Sequence, residues 1–288
     1  MIDKLVVVGV GLIGGSLALD LKHAGLVRRV VGIGRSPENM ARALQLQVID
    51  EATSDYAAAA DADLVLIATP VGQMGRVMAG LAPVLGPHTI VTDAGSTKRD
   101  VAALYRQHLP DHLPRCLPAH PIAGSDLSGA SAARYGLYQD RHVVLCPLAE
   151  TAPATVELVG RLWQSCGARL VQLSTEEHDA VFASVSHLPH LLAFSYVNGV
   201  LDRPHAEASF ELASTGFRDF TRIAGSHAEM WRDIALANRV PLLAELSAFE
   251  ARLTALRAAL EAADGAALHE LFERASAARQ RWGKHSGL

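Results

Sequence analysis

A few residues into the chain, Leu5-Val-Val-Val8 runs without interruption into Gly9-Val-Gly11-Leu-Ile-Gly14-Gly15-Ser16. A short apolar run that meets this glycine spacing and opens into a helix-compatible segment leaves few folds available. It reads as the turn between a buried strand and a helix whose N-terminus receives the pyrophosphate of a dinucleotide. Each glycine has its own reason to be there. Gly9 permits the tight turn, Gly11 lets the backbone approach the pyrophosphate, and Gly14 allows close helix–strand contact. Leu12 and Ile13 belong to the same cofactor turn, at the start of the helix that supplies N–H donors. A glycine-rich turn without a ligand is the bland alternative, and it does not account for the strand before and the helix after.

Strand-like apolar runs recur at Arg29–Ile33, Leu64–Ala68, Ile90–Thr92, Cys116–Ala119, His142–Cys146 and Leu170–Leu173, with helix-compatible segments between several of them. This alternation predicts a largely parallel, doubly wound sheet, with the closely spaced runs after Cys116 as candidate antiparallel additions. After Leu173 the pattern changes. Ser174-Thr-Glu-Glu177 matches a capping box, and from there to Leu288 long amphipathic segments rich in Ala, Leu, Glu and Arg dominate. The expected division is therefore a dinucleotide-binding domain over 1–173 and an all-helical domain over 174–288. Segments such as Ala244–Ala262 and Ala266–Trp282 have little sheet to pack on, so their apolar faces need another helical surface. A homodimer through intertwined helical domains is the expectation, with the active site between the two domain types.

Composition narrows the partner. The 288 residues are half apolar and carry a formal net charge of −4, with no long basic run to favour nucleic acid or an anionic membrane surface. A small molecule is the expected partner. The apolar runs fall short of the roughly 18 residues of a membrane span, and no signal peptide is evident, so a cytoplasmic location is expected. Cys116, Cys146 and Cys166 are widely spaced and read as small buried hydrophobes rather than as ligands or disulfides. Among the thirteen histidines, His187 and His190 have an i, i+3 spacing that could suit a metal. Pro189 intervenes and no third ligand is obvious, so no metal is expected.

An NAD-type site places an acid about 20 positions beyond the glycines to bind the ribose 2′-hydroxyl. Here the corresponding stretch is Gly32-Ile-Gly34-Arg35-Ser36, with no acid. Arg35 and Ser36 can instead pair with a 2′-phosphate, which favours NADP while leaving NAD possible. The Thr69-Pro70 turn should lie along the nicotinamide side of the cleft.

Three further motifs carry the chemistry: Asp93-Ala-Gly-Ser96-Thr-Lys98, His120-Pro-Ile-Ala-Gly-Ser125-Asp126, and Ser186-His187-Leu-Pro-His190 followed by Gly216-Phe-Arg218-Asp219-Phe-Thr-Arg222. With the N-terminal glycine turn, and from Gly9 to about Trp231, the chain resembles the prephenate/arogenate (cyclohexadienyl) dehydrogenase family of tyrosine biosynthesis. The resemblance implies a Rossmann-type α/β domain followed by an all-α dimerisation domain. It also implies oxidative decarboxylation, in which hydride leaves ring C4 for the nicotinamide, the C4 hydroxyl loses its proton and C1 loses CO2. By the same resemblance His120 is the base at the hydroxyl, a role suited to a neutral imidazole near neutral pH. Ser96 hydrogen-bonds that hydroxyl or orients the imidazole, Arg222 grips a substrate carboxylate, and His190 helps build the substrate pocket.

Lys98 and Asp219 either support the site or simply pair with charges, and Trp231 is core or pocket wall. Ser125-Asp126 departs from the family, in which several prephenate-using members carry Thr or Ser followed by Glu. An acid here could answer the α-ammonium of arogenate, so arogenate, with prephenate as a further substrate, is the expectation. Two other readings compete. A β-hydroxyacid dehydrogenase or imine reductase should carry a lysine in the later helical region, yet 174–201 contains none. A non-catalytic NAD(P)-binding sensor leaves His120, Ser96 and Arg222 without a purpose.

Overall fold

The computed structural model describes residues 1–124 and 127–286. The chain forms two compact units, Met1–Arg239 and Val240–Leu288. The first begins with β1 (Ile2–Val8), α1 (Leu12–His23), β2 (Val27–Ile33), α2 (Pro37–Gln45), β3 (Glu51–Thr53), β4 (Leu64–Ile67), α3 (Val71–Leu81), β5 (Ile90–Asp93), α4 (Arg99–His108) and β6 (Cys116–Leu117). These strands make a six-stranded sheet in the order β3-β2-β1-β4-β5-β6, every pair parallel. The order reverses between β1 and β4, and ligands collect beyond strand C-termini at such a reversal. Both faces of β1 are covered, which is why Leu5–Val8 is a continuous apolar run rather than an alternating one.

Two apolar layers flank the sheet. One gathers α1 and the later α5 (Pro153–Ser165) around Leu17, Leu21, Val159 and Trp163; the other gathers α3 and α4 around Met74, Met78 and Tyr105. Full burial of such side chains stabilises by about 1.5–3 kcal/mol each. Buried polar groups fasten the first layer. Ser16 Oγ and Asp20 Oδ1 on α1 accept from the Arg134 and Gly136 amides, and Tyr138 Oη donates to Ile13 O.

The expected single strand Cys116–Ala119 is two strands in two sheets. Pro118 has no N–H to continue the ladder, so pairing with β5 stops at Leu117, and β7 (Ala119–Pro121) pairs antiparallel with β8 (His142–Leu145). β8 in turn pairs parallel with β9 (Arg169–Gln172) across the α5 crossover, so only one of the late pairings is antiparallel. The three-residue edge strand β3 is half polar and had no apolar run to announce it.

The helical part of this unit starts at α6 (Thr175–Phe182). Ser174 Oγ accepts from the Glu177 amide while Glu177 accepts from the Ser174 amide, the reciprocal cap that the sequence predicts. A π-turn over Ala183–His187 then leads into α7 (Leu188–Leu201). Pro189 explains it, because it removes an N–H and its ring would strike the carbonyl four residues back in a regular helix. By length and hydropathy the run Thr175–Leu201 could cross a membrane. It also buries the ionisable side chains of His178, Asp179 and His187. α8 (Ala206–Glu211), α9 (Thr215–Thr221) and α10 (Ala228–Ala237) complete the unit, with Trp231 and Ile234 of α10 joining the α3 side of the core. The second unit is α11 (Arg239–Glu261) and α12 (Gly265–Ser286), close to the expected segments. It leaves Leu243, Leu253, Leu260, Phe272 and Trp282 exposed.

Candidate active site

The glycine turn closes at the carboxyl end of β1. The Gly9 amide donates to Ile33 O, and the Ala68 amide donates to Val8 O, which ties the ends of β2, β1 and β4 together. Gly9 has a φ of +97°, and a Cβ there would lie 2.7 Å from Ala68 O. At Gly14 a Cβ would lie 2.6 Å from Gly9 O and 2.7 Å from a Val7 methyl carbon. A Cβ at Gly11, by contrast, would meet nothing within 4 Å, and Gly11 caps α1, whose first residues are Leu12 and Ile13. Asn39 braces the turn, donating to Val10 O at 2.8 Å and accepting from the Ala130 amide at 2.7 Å.

Above this turn lies a cleft of about 650 Å³ bordered by Gly9–Gly11, Arg35, Ser36, Thr69, Pro70 and Arg76, with His227 from the start of α10. Arg35 Nη2 donates to Gln73 Oε1 at 3.0 Å. The Ser36 hydroxyl is already used: it accepts from the Asn39 amide as the cap of α2 and donates to Glu38. The residues present fit a dinucleotide. The open face of Gly11 and the amides of α1 suit a pyrophosphate, and the buried Thr69 Oγ1 has no hydrogen-bond partner.

A second cluster forms beyond β5. Lys98 and Asp93 make a fully buried ion pair, and Lys98 Nζ also donates to Ala119 O at 2.7 Å, holding β7 against the end of β5. Burial pushes the Asp93 carboxyl up while Lys98 opposes that shift. Lys98 therefore supports the architecture from inside. Ser96, half-buried, sits in the loop between Asp93 and Lys98.

His120, on β7, is half-buried, and its Nδ1 lies 2.8 Å from His178 Nε2. His178 Nδ1 lies 2.8 Å from Asp179 Oδ1. Asp179 accepts from the Lys98 and Arg99 amides at 2.8 and 3.0 Å, at the N-terminus of α4. The Phe182 ring packs on both imidazoles. Desolvation, reinforced by the charges of His178, Lys98 and His187, holds the His120 pKa well below its ordinary value, so the ring is neutral near pH 7.

His187 is buried in the π-turn. Its Nδ1 accepts from Asn238 Nδ2, which also donates to Asp179 O. Burial, with His178 next, pulls its pKa down to about 4, against a raising contribution from the Ser96 backbone. His190, one turn on, donates from Nδ1 to Ser186 O and stacks on Trp231 with ring centroids 3.5 Å apart. Burial lowers the His190 pKa, and the charge of Arg222 adds to that effect. Trp231 is thus core on one side and a stacking wall on the other. Asp219 is exposed and pairs with Arg218 at 3.0 Å. Ser125 and Asp126 lie outside the described residues.

His120, Ser96 and His187 are brought to one cluster, with His190 joined through Trp231, while Arg222 acts on His190 through its charge. The sequence reading missed His178, Asp179 and Asn238. The capping box at Ser174 places His178 and Asp179 in the first turns of a helix, but nothing local tells that they face a strand 58 residues earlier. The three cysteines are free and buried, with thiols pushed up to about 12 by burial, as inert small hydrophobes should be.

Residues 17–172 match the family profile described as prephenate dehydrogenase, nucleotide-binding domain, and residues 174–274 match prephenate dehydrogenase, dimerization domain. A cyclohexadienyl dehydrogenase of Zymomonas mobilis is 36% identical over 278 residues, covering 96% of this chain and 94% of that protein. The crystal structure of a prephenate dehydrogenase from A. aeolicus, in complex with hydroxyphenyl propionate and NAD+, superposes with a TM-score of 0.91 at 33% identity, covering 98% of each chain. A Synechocystis arogenate dehydrogenase superposes with a TM-score of 0.82 at 28% identity, covering 97% of this chain and 99% of that one.

Proposed function

The chain belongs to the prephenate dehydrogenase family, and on that footing we propose that it is an NAD(P)-dependent oxidoreductase that converts arogenate, and prephenate as a second substrate, by oxidative decarboxylation. The products are tyrosine and 4-hydroxyphenylpyruvate respectively. The observation that carries the reading is His120, a desolvated neutral imidazole anchored to the end of β5 through Lys98 and Ala119. Bound in the cleft above Gly9–Gly11, a nicotinamide dinucleotide supplies the hydride acceptor. His120 takes the proton of the ring hydroxyl, and general-base help of this kind contributes about 10²–10⁴-fold. Ser96 orients that hydroxyl. Arg222 and His190 hold the substrate from the helical side, the guanidinium gripping a carboxylate.

NADP is favoured by Arg35, with Arg76 as a second cation on the cleft. Ser36 contributes less than its position suggests, since its hydroxyl caps α2 and serves Glu38. Asp126, as the partner of an α-ammonium, favours arogenate. Asp219 acts through its pair with Arg218. Residues 1–173 form the dinucleotide-binding part and 174–288 the helical substrate and dimerisation part of a cytoplasmic homodimer. The two family matches, which meet at 172 and 174, support that division.

The test crosses prephenate and arogenate with NAD and NADP, following absorbance of the reduced nicotinamide. Turnover in any combination supports the reaction. His120→Asn should keep cofactor binding and lose about 10²–10⁴-fold in kcat. Asp126→Ala should lose arogenate activity selectively. Silence in all four assays with cofactor bound, or full turnover by His120→Asn, overturns the reading.

A further inference from the structure

The geometry points to His178 and Asp179 as positioning residues that fix the tautomer of His120, so that its Nδ1 carries the proton and its Nε2 carries the lone pair. The inference rests on the reading of His120 as the base. One group in this chain of contacts has no choice of protonation. The Asp179 carboxylate accepts the Lys98 and Arg99 amides at the first turn of α4, where a negative charge complements the helix N-terminus. Those amides and His178 outweigh desolvation and hold it below the ordinary carboxylate range. An ionised carboxylate only accepts, so the proton between it and His178 sits on His178 Nδ1, 2.8 Å away.

Neutral His178 then has its lone pair on Nε2. That atom lies 2.8 Å from His120 Nδ1, and two lone pairs do not face each other at that distance, so His120 Nδ1 carries the hydrogen. The lone pair of His120 is left on Nε2. The reversed order would set a lone pair of His178 against the carboxylate. Rotation out of line is blocked because His178 and Asp179 are 0% and 1% exposed and the Phe182 ring lies 4.8 and 4.5 Å from the two imidazoles. The base is thereby held in its proton-accepting form before substrate arrives.

During turnover the hydroxyl proton goes to His120 Nε2 and the Nδ1 proton stays in place. The imidazolium formed is stabilised through a contact that ends on Asp179. Among the described residues, the other charged or titratable groups facing His120 are Lys98 with Asp93 from the β5–α4 side and His187 from the π-turn. The charges of His178, Lys98 and His187 oppose its protonation, and the Asp179 carboxylate acts on it through the hydrogen bonds of His178.

Nitrogen-15 NMR of the full chain with labelled histidine reads the tautomer without any turnover. The signal that disappears in His120→Asn should report Nδ1–H in the native protein, and Asp179→Asn should convert it to Nε2–H or a mixture. In kinetics, Asp179→Asn and His178→Gln should lower kcat by about 10²-fold or more with KM little changed. In Asp179→Asn the acid limb of the kcat profile should move to lower pH, because removing the carboxylate makes His120 harder to protonate. A packing role alone would lower kcat without moving that limb. Nε2–H on His120 in the native protein, or an Asp179→Asn variant with tautomer and limb unchanged, overturns the inference. An Nδ1–H signal in a protein that oxidises none of the proposed substrates would instead overturn the substrate reading and leave the positioning role standing.

Discussion

Four imidazoles in one unit are kept neutral by burial, and that has a thermodynamic consequence. His187 is held to about 4, and burial also lowers His120, His178 and His190. An unfolded histidine titrates near 6.5. Between about pH 6.5 and 4 the unfolded chain therefore binds protons that the folded chain refuses, and stability falls as pH falls through that window. His187 alone accounts for up to about 3 kcal/mol of this loss. Urea unfolding midpoints should drop from pH 7 to pH 4.5, and His187→Gln should flatten the dependence. An equal slope in the variant would mean that His187 is protonated in the fold. None of this was legible residue by residue: His187 reads as structural or as a pocket histidine with equal ease until Asn238 and the Ser96 backbone are seen against it.

At the scale of elements, the α1–β1 contact depends on one missing methyl. Gly14→Ala places a Cβ against Gly9 O and Val7, and overpacking of this kind costs about 1–3 kcal/mol. Gly11→Ala meets open space and should leave the unfolding midpoint unchanged while weakening dinucleotide affinity. Measuring urea midpoints and cofactor affinity for both variants separates the two roles. Equal destabilisation by both would remove the distinction between packing glycine and ligand glycine. The strand–turn–helix start, the capped start of α6 and the apolar strands were legible because each is a local steric or periodic signal. The split at Pro118 was not, since a proline inside an apolar run says that a ladder stops without saying that the chain changes sheets.

For the whole molecule, α11 and α12 carry apolar side chains that their own unit does not cover. Leu253 and Leu260 are 48% and 60% exposed and border a hollow of about 530 Å³ on α11. Large exposed apolar patches mark association surfaces, and this region matches a dimerization domain. Light scattering should give twice the chain mass at micromolar concentration, and the Leu253→Asp/Leu260→Asp double variant should shift it toward one chain mass. A monomer in the unaltered protein would overturn the dimer.

The sequence by itself determined the dinucleotide turn, the alternation that makes the parallel sheet, the change to helices after Leu173 and the motifs that carry His120, Ser96, His190 and Arg222. These are written in neighbouring residues, because turns, caps and periodic faces are short-range steric matters. Only the tertiary structure decided that Lys98 reaches Ala119 O, that Asp179 accepts the Lys98 amide, and that His120 leans on His178. Those contacts join residues as far as 81 positions apart in the chain, and desolvation, which sets the charge of each histidine, exists only once the chain has closed around it.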